Sequence, residues 1–256
     1  MTNPDYGIDA PGLVRGFLVG ALVLLAIGIL LLMFGPFLGA WAGIAAGAIL
    51  LLSLYPFGMY CLMNYESRIT KIKDREKILN LVNWRGDEHV LDVGCGRGLM
   101  LIGAAKRLTK GKAIGVDLWL ERDQSSNNSA APIENAKLEG VSNRVSVETA
   151  DMRKLPFPDQ SFDVVLSSWV VHNLENKADR IMALIEMLRV LRPTGSLLLT
   201  DIVNRDEYMA EFKKMNTGEI KIIIFSTLKD RIVRAVSFGS YGPATIYARK
   251  AGTGSV

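Results

Sequence analysis

Nine residues, Val90-Leu-Asp-Val-Gly-Cys-Gly-Arg-Gly98, combine a carboxylate with three alternating glycines. Positions 90–93 read as a short buried strand, and Gly94, Gly96 and Gly98 turn the chain from it into a helix. Glycine leaves no Cβ between backbone and ligand. Amides at a helix start add a partial positive charge that suits an anionic group. A dinucleotide loop of the G-x-G-x-x-G type cradles a pyrophosphate, which Asp92 inside this motif would repel. The spacing here is D-x-G-x-G-x-G, better matched to a ligand with a cationic amino-acid end. S-adenosylmethionine is such a ligand.

Further polar residues recur where apolar runs stop. Asp117 and Asp201 end such runs, and Asp151 and Ser168 follow others. One acid of this kind reads equally as a helix cap or turn residue. With Asp92, four acids in register with a glycine loop point to a shared ligand, because open α/β sheets bind at the carboxyl ends of their strands. Asp117 lies about 20 residues past the loop, the reach needed to grip a ribose diol. His172 follows the run at 162–167 and is a candidate general base, since histidine titrates near neutral pH. A base is needed only where the nucleophile arrives protonated, and a helix-start or surface histidine is an equal reading. His89 reads as structural.

The elements that must position these residues alternate. Strands are expected at 90–93, 113–117, 145–148, 162–167 and 196–201, and helices at 99–108, 133–139 and 177–191. Strands and helices alternating at this spacing imply a parallel sheet covered on both faces. A polar stretch at 119–132 has the composition of a loop or lid. An amphipathic helix is expected over 66–83, with Ile69, Ile72, Leu79 and Val82 on roughly one face. Past Asp206 a helix to about Met215 and two more strands are expected.

Residues 90–98, Asp117, Asp151-Met152, the run Leu155-Pro-Phe-Pro-Asp-Gln-Ser-Phe-Asp163 and Leu191-Arg-Pro-Thr-Gly195 carry a resemblance. Together they resemble a class I S-adenosylmethionine-dependent methyltransferase, and within that class the ubiquinone/menaquinone-biosynthesis group. The match covers about residues 75–203, half of the chain. The resemblance implies a Rossmann-like, doubly wound, mostly parallel seven-stranded sheet. It implies that Gly94, Gly96 and Gly98 approach the methionine moiety while Asp92 holds its ammonium. Asp117 would bind the ribose hydroxyls, Asp151 the adenine amino group, and the Met152 amide the ring. Arg97 stands where a cofactor-contacting Thr or Ser is common, and Ser168 would line the pocket near the transferred methyl. Pro193-Thr-Gly195 is expected to close the helix at 177–191 as a turn, in which Thr194 replaces a usual glycine, and the 119–132 stretch is longer than the tight junction expected after the ribose acid.

The 256 residues leave room for one α/β domain plus an accessory piece. From 16 to 65 there is no Asp, Glu, Lys or Arg. A membrane-spanning helix needs roughly 20 apolar residues, so this run fits two crossings. Gly35-Pro36 is the expected turn, with helices at 13–34 and 37–63. A transmembrane hairpin over 1–65 would thus precede a catalytic domain over 66–256. A cleaved signal peptide fits poorly, because the start carries Asp5 and Asp9 and the apolar run is far longer than a signal core. A buried soluble hairpin would need a large protein around it. Arg68, Lys71, Lys73, Arg75 and Lys77 outnumber Glu66, Asp74 and Glu76 beyond the hairpin, which places that flank on the cytoplasmic side. Pro56 is expected to kink the second helix. The ladders Gly12-Gly16-Gly20 and Gly39-Gly43-Gly47 allow close helix approach. The second is expected against Gly28, leaving the other for a second copy of the chain.

The net charge of +4 comes without the basic runs and interleaved aromatics of a nucleic-acid face, and attraction to anionic lipid headgroups is the simpler reading. Cys61 and Cys95 are the only cysteines, which leaves no disulfide framework or cysteine metal site and disfavours an arsenite methyltransferase. The expectation is an integral membrane methyltransferase that uses S-adenosylmethionine on a lipophilic acceptor such as a quinone precursor, lipid, phenol or thiol. Its alternatives are a non-catalytic S-adenosylmethionine-binding membrane adaptor and a nicotinamide-dependent reductase.

Overall fold

The computed structural model describes residues 3–37, 39–120, 124–215, 217–224, 235 and 244–251. Residues 121–123 of the polar stretch, and much of the sequence beyond 215, fall outside these. Two compact units emerge. One holds Met1–Tyr6, Lys73–Trp119 and Asn127–Val256, and the other holds Gly7–Ile72 and Leu120–Ser126.

The second unit is built on helices α1 (Pro11–Phe34) and α2 (Ala40–Tyr65), joined through a 3-10 turn at Gly35–Phe37. Two helical stretches, Pro11–Phe34 and Trp41–Leu79, are long and apolar enough to cross a membrane. Large apolar side chains such as Leu22, Leu32, Ile44 and Leu54 point outward from them. The helix–helix seam corrects the expected packing. It is formed by Val14, Ala21 and Gly28 on α1, spaced by seven, against Ala42, Ala46 and Ser53 on α2. A Cβ on Gly28 would stand 2.6 Å from Leu50 Cδ2, whereas one on Gly12, Gly16, Gly20, Gly43 or Gly47 would meet nothing within 4 Å. A seven-residue repeat keeps Val14, Ala21 and Gly28 on one line along the helix. The four-residue ladders run onto other faces. Below α2 a π-helical turn (Glu66–Thr70) leads into α3 (Lys71–Leu79). The helix expected to reach Asn83 therefore stops at Leu79, where the Trp84 indole donates to the Leu79 carbonyl at 2.8 Å.

In the first unit the chain runs β1 (His89–Val93), α4 (Leu99–Ala105), β2 (Lys112–Asp117), α5 (Ala130–Leu138), β3 (Val145–Thr149), β4 (Phe162–Ser168), α6 (Lys177–Val190), β5 (Leu191–Asp201), α7 (Arg205–Lys214), β6 (Ile220–Ile223) and β7 (Ala244–Arg249). These strands form one seven-stranded sheet in the order β3-β2-β1-β4-β5-β7-β6. β1 to β5 are parallel, and β7 runs antiparallel to both of its neighbours. This is a Rossmann-like α/β sheet with helices on its faces. Val90, Leu91, Val165, Leu166, Leu197 and Leu198 are all but sealed from solvent, as expected for central parallel strands.

α6 begins at Asn176, whose side chain caps the Asp179 amide, and packs Ala183, Leu184 and Met187 inward. The turn expected at Pro193-Thr-Gly195 is instead a bulge inside β5. Pairing jumps from Phe162–Leu191 to Val164–Ser196. Pro193 has no amide to donate, and Thr194 sits at φ 65° with its amide bonded to the Lys250 carbonyl. The extra residues bend away without ending the strand.

Candidate cofactor and proton-transfer site

The order of the strands reverses at β1, so the loops after β1 and β4 diverge from a crevice at the carboxyl edge. That is where ligands of open α/β sheets bind. Gly94, Gly96 and Gly98 have φ of 73°, 49° and 86°, a region costly for any residue with a Cβ. A Cβ on Gly94 would lie 2.5 Å from Val170 Cγ1, and one on Gly98 would lie 3.0 Å from Pro132 Cβ. The glycines thus bring the loop against the segment after β4 on one side and the start of α5 on the other.

Asp117 ties this loop to the end of β2. Its Oδ2 accepts the Gly96 amide at 2.8 Å, and its Oδ1 accepts the Trp119 amide at 2.6 Å and the Asn127 Nδ2 at 3.3 Å. The acid expected at the ribose is therefore joined to the glycine loop directly. Trp119 holds φ 61° and reaches the β3 end, where its Nε1 donates to Thr149 Oγ1 at 2.8 Å.

Asp92 lies beneath the loop. It is only 1% exposed and its Oδ2 accepts the Leu101 amide at 2.8 Å. Burial pushes its carboxyl up to about 7, against the Leu101 bond that favours the anion, and the nearby Asp117 charge pushes the same way as burial. Arg97 turns its guanidinium to Asp5, with Nε on the Asp5 carbonyl at 2.8 Å and Nη2 on Oδ2 at 3.0 Å. Asn135 of α5 completes that junction. It donates to the carbonyls of Asp5 and Arg97 and accepts the Asp5 amide. Tyr6 follows, buried, with its hydroxyl donating to Glu139 Oε1 at 3.0 Å.

Asp151, expected at the adenine, is gripped by Arg153 through Nε and Nη2, with Nη2–Oδ2 at 2.6 Å. The hydrogen bonds from Arg153 hold its carboxyl below the usual carboxylate range. Arg153 also bonds Asp179 at 2.8 Å. The Met152 side chain packs against the core. Ser168 ends β4, half-buried, opposite Thr200.

His172 stands on a 3-10 turn (Val171–Asn173), two residues beyond the Val170 that Gly94 faces. Its Nδ1 lies 2.5 Å from Asp201 Oδ1, and its backbone amide donates to Asp201 Oδ2 at 3.1 Å. Asp201 also accepts the Ile202 amide at 2.8 Å and the Tyr208 hydroxyl at 3.1 Å. Four donors therefore surround a carboxylate that is 4% exposed. A carboxylate at Nδ1 places the ring proton there and leaves the Nε2 lone pair for an outside donor. The sequence marks His172 and the strand-end Asp201 separately. Nothing in it shows that they meet, and Asn127, Arg153 and Tyr208 carry no motif.

Residues 91–199 match the family described as "Methyltransferase domain". These residues are a methyltransferase domain. The sheet around them shares its fold with a solved S-adenosylmethionine-dependent methyltransferase from Aquifex aeolicus, 22% identical, with a TM-score of 0.51 over 70% of this chain and 90% of that one. The demethylmenaquinone methyltransferase of Bacteroides fragilis is 30% identical over 174 residues, 68% of this chain and 66% of that protein. The 27-O-demethylrifamycin SV methyltransferase of Amycolatopsis mediterranei is 32% identical over 138 residues, 54% of this chain and 46% of that one. Geranyl diphosphate C-methyltransferase from Streptomyces coelicolor superposes with a TM-score of 0.56 at 15% identity, covering 70% of this chain and 79% of that one. The chain spans about half the length of the first curated relatives it matches, between 43% and 55%. The matched family segment begins well after the α1–α2 hairpin.

Proposed function

We propose that this chain is an integral membrane methyltransferase that moves a methyl group from S-adenosylmethionine to a hydroxyl of a lipophilic small molecule. The observation that carries the reading is the junction of Gly96 and Asp117, which joins a glycine loop to a ribose-type acid at the sheet's reversal point. The residues present fit the cofactor. The loop glycines put no side chain between the loop backbone and a ligand, and among the described residues the buried Asn127 Oδ1 lacks a partner. Gly94, Gly96, Gly98 and Asp117 would hold it, with Asp92 and Arg97 supporting the loop, Asp151 and Met152 on the adenine side, and Ser168 toward the acceptor. A methyltransferase domain and relatives named for small-molecule acceptors support the same reading.

S-adenosylmethionine, when bound, supplies a methyl on a sulfonium, an already activated leaving group. Positioning therefore carries most of the rate. His172 Nε2 accepts the hydroxyl proton of the acceptor as its oxygen becomes nucleophilic. Asp201 fixes the ring and stabilises the imidazolium, and the Tyr208 hydroxyl bond holds the carboxylate in place. The dyad favours an acceptor that arrives protonated, and so oxygen over a sulfide or a free amine.

The lipophilic acceptor rests on the hairpin, since anchoring raises encounter with molecules dissolved in the bilayer. The basic residues after α2 support a cytoplasmic catalytic domain. The test is to reconstitute the full chain into vesicles with a membrane lipid extract and methyl-labelled S-adenosylmethionine. Label in an organic-extractable ether is expected. Cofactor binding with no labelled product would favour the adaptor reading.

A further inference from the structure

Asn127 lies in the polar segment before α5 and is 4% exposed. Its Nδ2 donates to Asp117 Oδ1 at 3.3 Å, and among the described residues its buried Oδ1 has no hydrogen-bond partner. Buried side-chain acceptors are seldom left in this state, and each that is calls for an explanation, a donor supplied by a ligand being one. The Nδ2 bond fixes which end of the amide meets the acid, so an acceptor is what remains beside it.

The donors already on Asp117 sharpen the point. A carboxylate offers about four lone-pair positions. Gly96, Trp119 and Asn127 occupy three of them, two on Oδ1 and one on Oδ2. A ribose diol brings two hydroxyl donors, and Asp117 has room for one. We propose that Asn127 is the second ribose-binding residue, its Oδ1 accepting one hydroxyl while Asp117 Oδ2 accepts the other. The inference rests on S-adenosylmethionine being the ligand. It also gives the long junction after Asp117 a purpose, because a tight turn would carry no side chain back to this acid. Asn128 has a different task, its Oδ1 capping the amides of Ala130 and Ala131.

The test is calorimetric and needs no acceptor. The full chain in detergent is titrated with S-adenosylhomocysteine and with its 2′-deoxy and 3′-deoxy analogues. In the wild type both analogues are expected to bind several-fold more weakly than the parent. Asn127→Ala is expected to weaken the parent about tenfold, the size of one lost hydrogen bond. The same substitution should weaken one deoxy analogue less than twofold, the one lacking the hydroxyl that Asn127 holds. Melting curves without ligand check the fold, and near-isosteric Asn127→Leu replaces the alanine variant if that one does not fold. Equal loss for all three ligands, or none for the parent, would overturn the role of Asn127. So would wild-type indifference to both missing hydroxyls. No binding of the parent to the wild type would overturn the cofactor reading instead.

Discussion

His172 Nδ1 and Asp201 Oδ1 stand 2.5 Å apart, although 29 residues separate them in sequence. The pair exists because β4 and β5 are adjacent and parallel, so the segment leaving one meets the last residue of the other. In His172→Ala, methyl transfer to a hydroxyl acceptor is expected to fall by about 10² to 10⁴-fold, the usual worth of a positioned base. Asp201→Asn should lower it at least about tenfold, because an amide at Nδ1 no longer selects the productive tautomer. Initial rates read the loss, and unchanged S-adenosylhomocysteine affinity shows that it is confined to the proton step. A transfer rate unaffected by His172→Ala would remove the base from the mechanism.

Asp92 sets a pH dependence of stability. Its folded-state value of about 7 lies above the ordinary 3.8, so the folded chain keeps this proton where the unfolded chain has lost it. The contribution is full below about pH 4 and disappears as the pH rises toward 7, amounting to about 4 kcal/mol at most. Asp92→Asn cannot ionise. Denaturant unfolding between pH 4 and 8 should show the wild type losing stability relative to this variant. Parallel curves would contradict the buried, protonated state.

Two glycines at the same φ separate strain from collision. Gly94 and Gly140 both sit at 73°, but a Cβ on Gly94 meets Val170 at 2.5 Å, while one on Gly140 meets nothing within 4 Å. Gly140→Ala should cost only about 1–2 kcal/mol of backbone strain. Gly94→Ala should cost more and abolish cofactor binding, because the loop must move. Comparison of melting temperatures and binding isotherms checks both.

Much of this arrangement was legible because it depends on neighbours in sequence. The apolar run ending in Asp117 matches β2 to within a residue, the one ending in Asp201 locates the end of β5 but not its start at Leu191, and the glycine spacing located the loop. What depends on distant partners was not legible. Arg97 looks like a cofactor contact until Asp5, 92 residues away, is seen to take its guanidinium. The Pro193-Thr-Gly195 signal is a sound turn signal, yet the pairing of β5 with β4 and β7 carries the strand through it. Glycines four apart suggested a helix contact that alanines and a seven-residue repeat make instead.

That correction has its own test. Gly28→Ile should lower the thermal stability of the detergent-solubilised chain, since its side chain would enter the space of Leu50 and the Ala46 carbonyl. Gly20→Ile projects into open space and should not. Equal effects would mean that the ladder, not the heptad line, forms the seam.

Equilibrium dialysis of the full chain against radiolabelled S-adenosylmethionine tests the central claim most directly. One site per chain is expected, competed by S-adenosylhomocysteine, indifferent to NADH, and lost in Asp117→Ala. NADH displacing the label, or Asp117→Ala binding as tightly as the wild type, would contradict it.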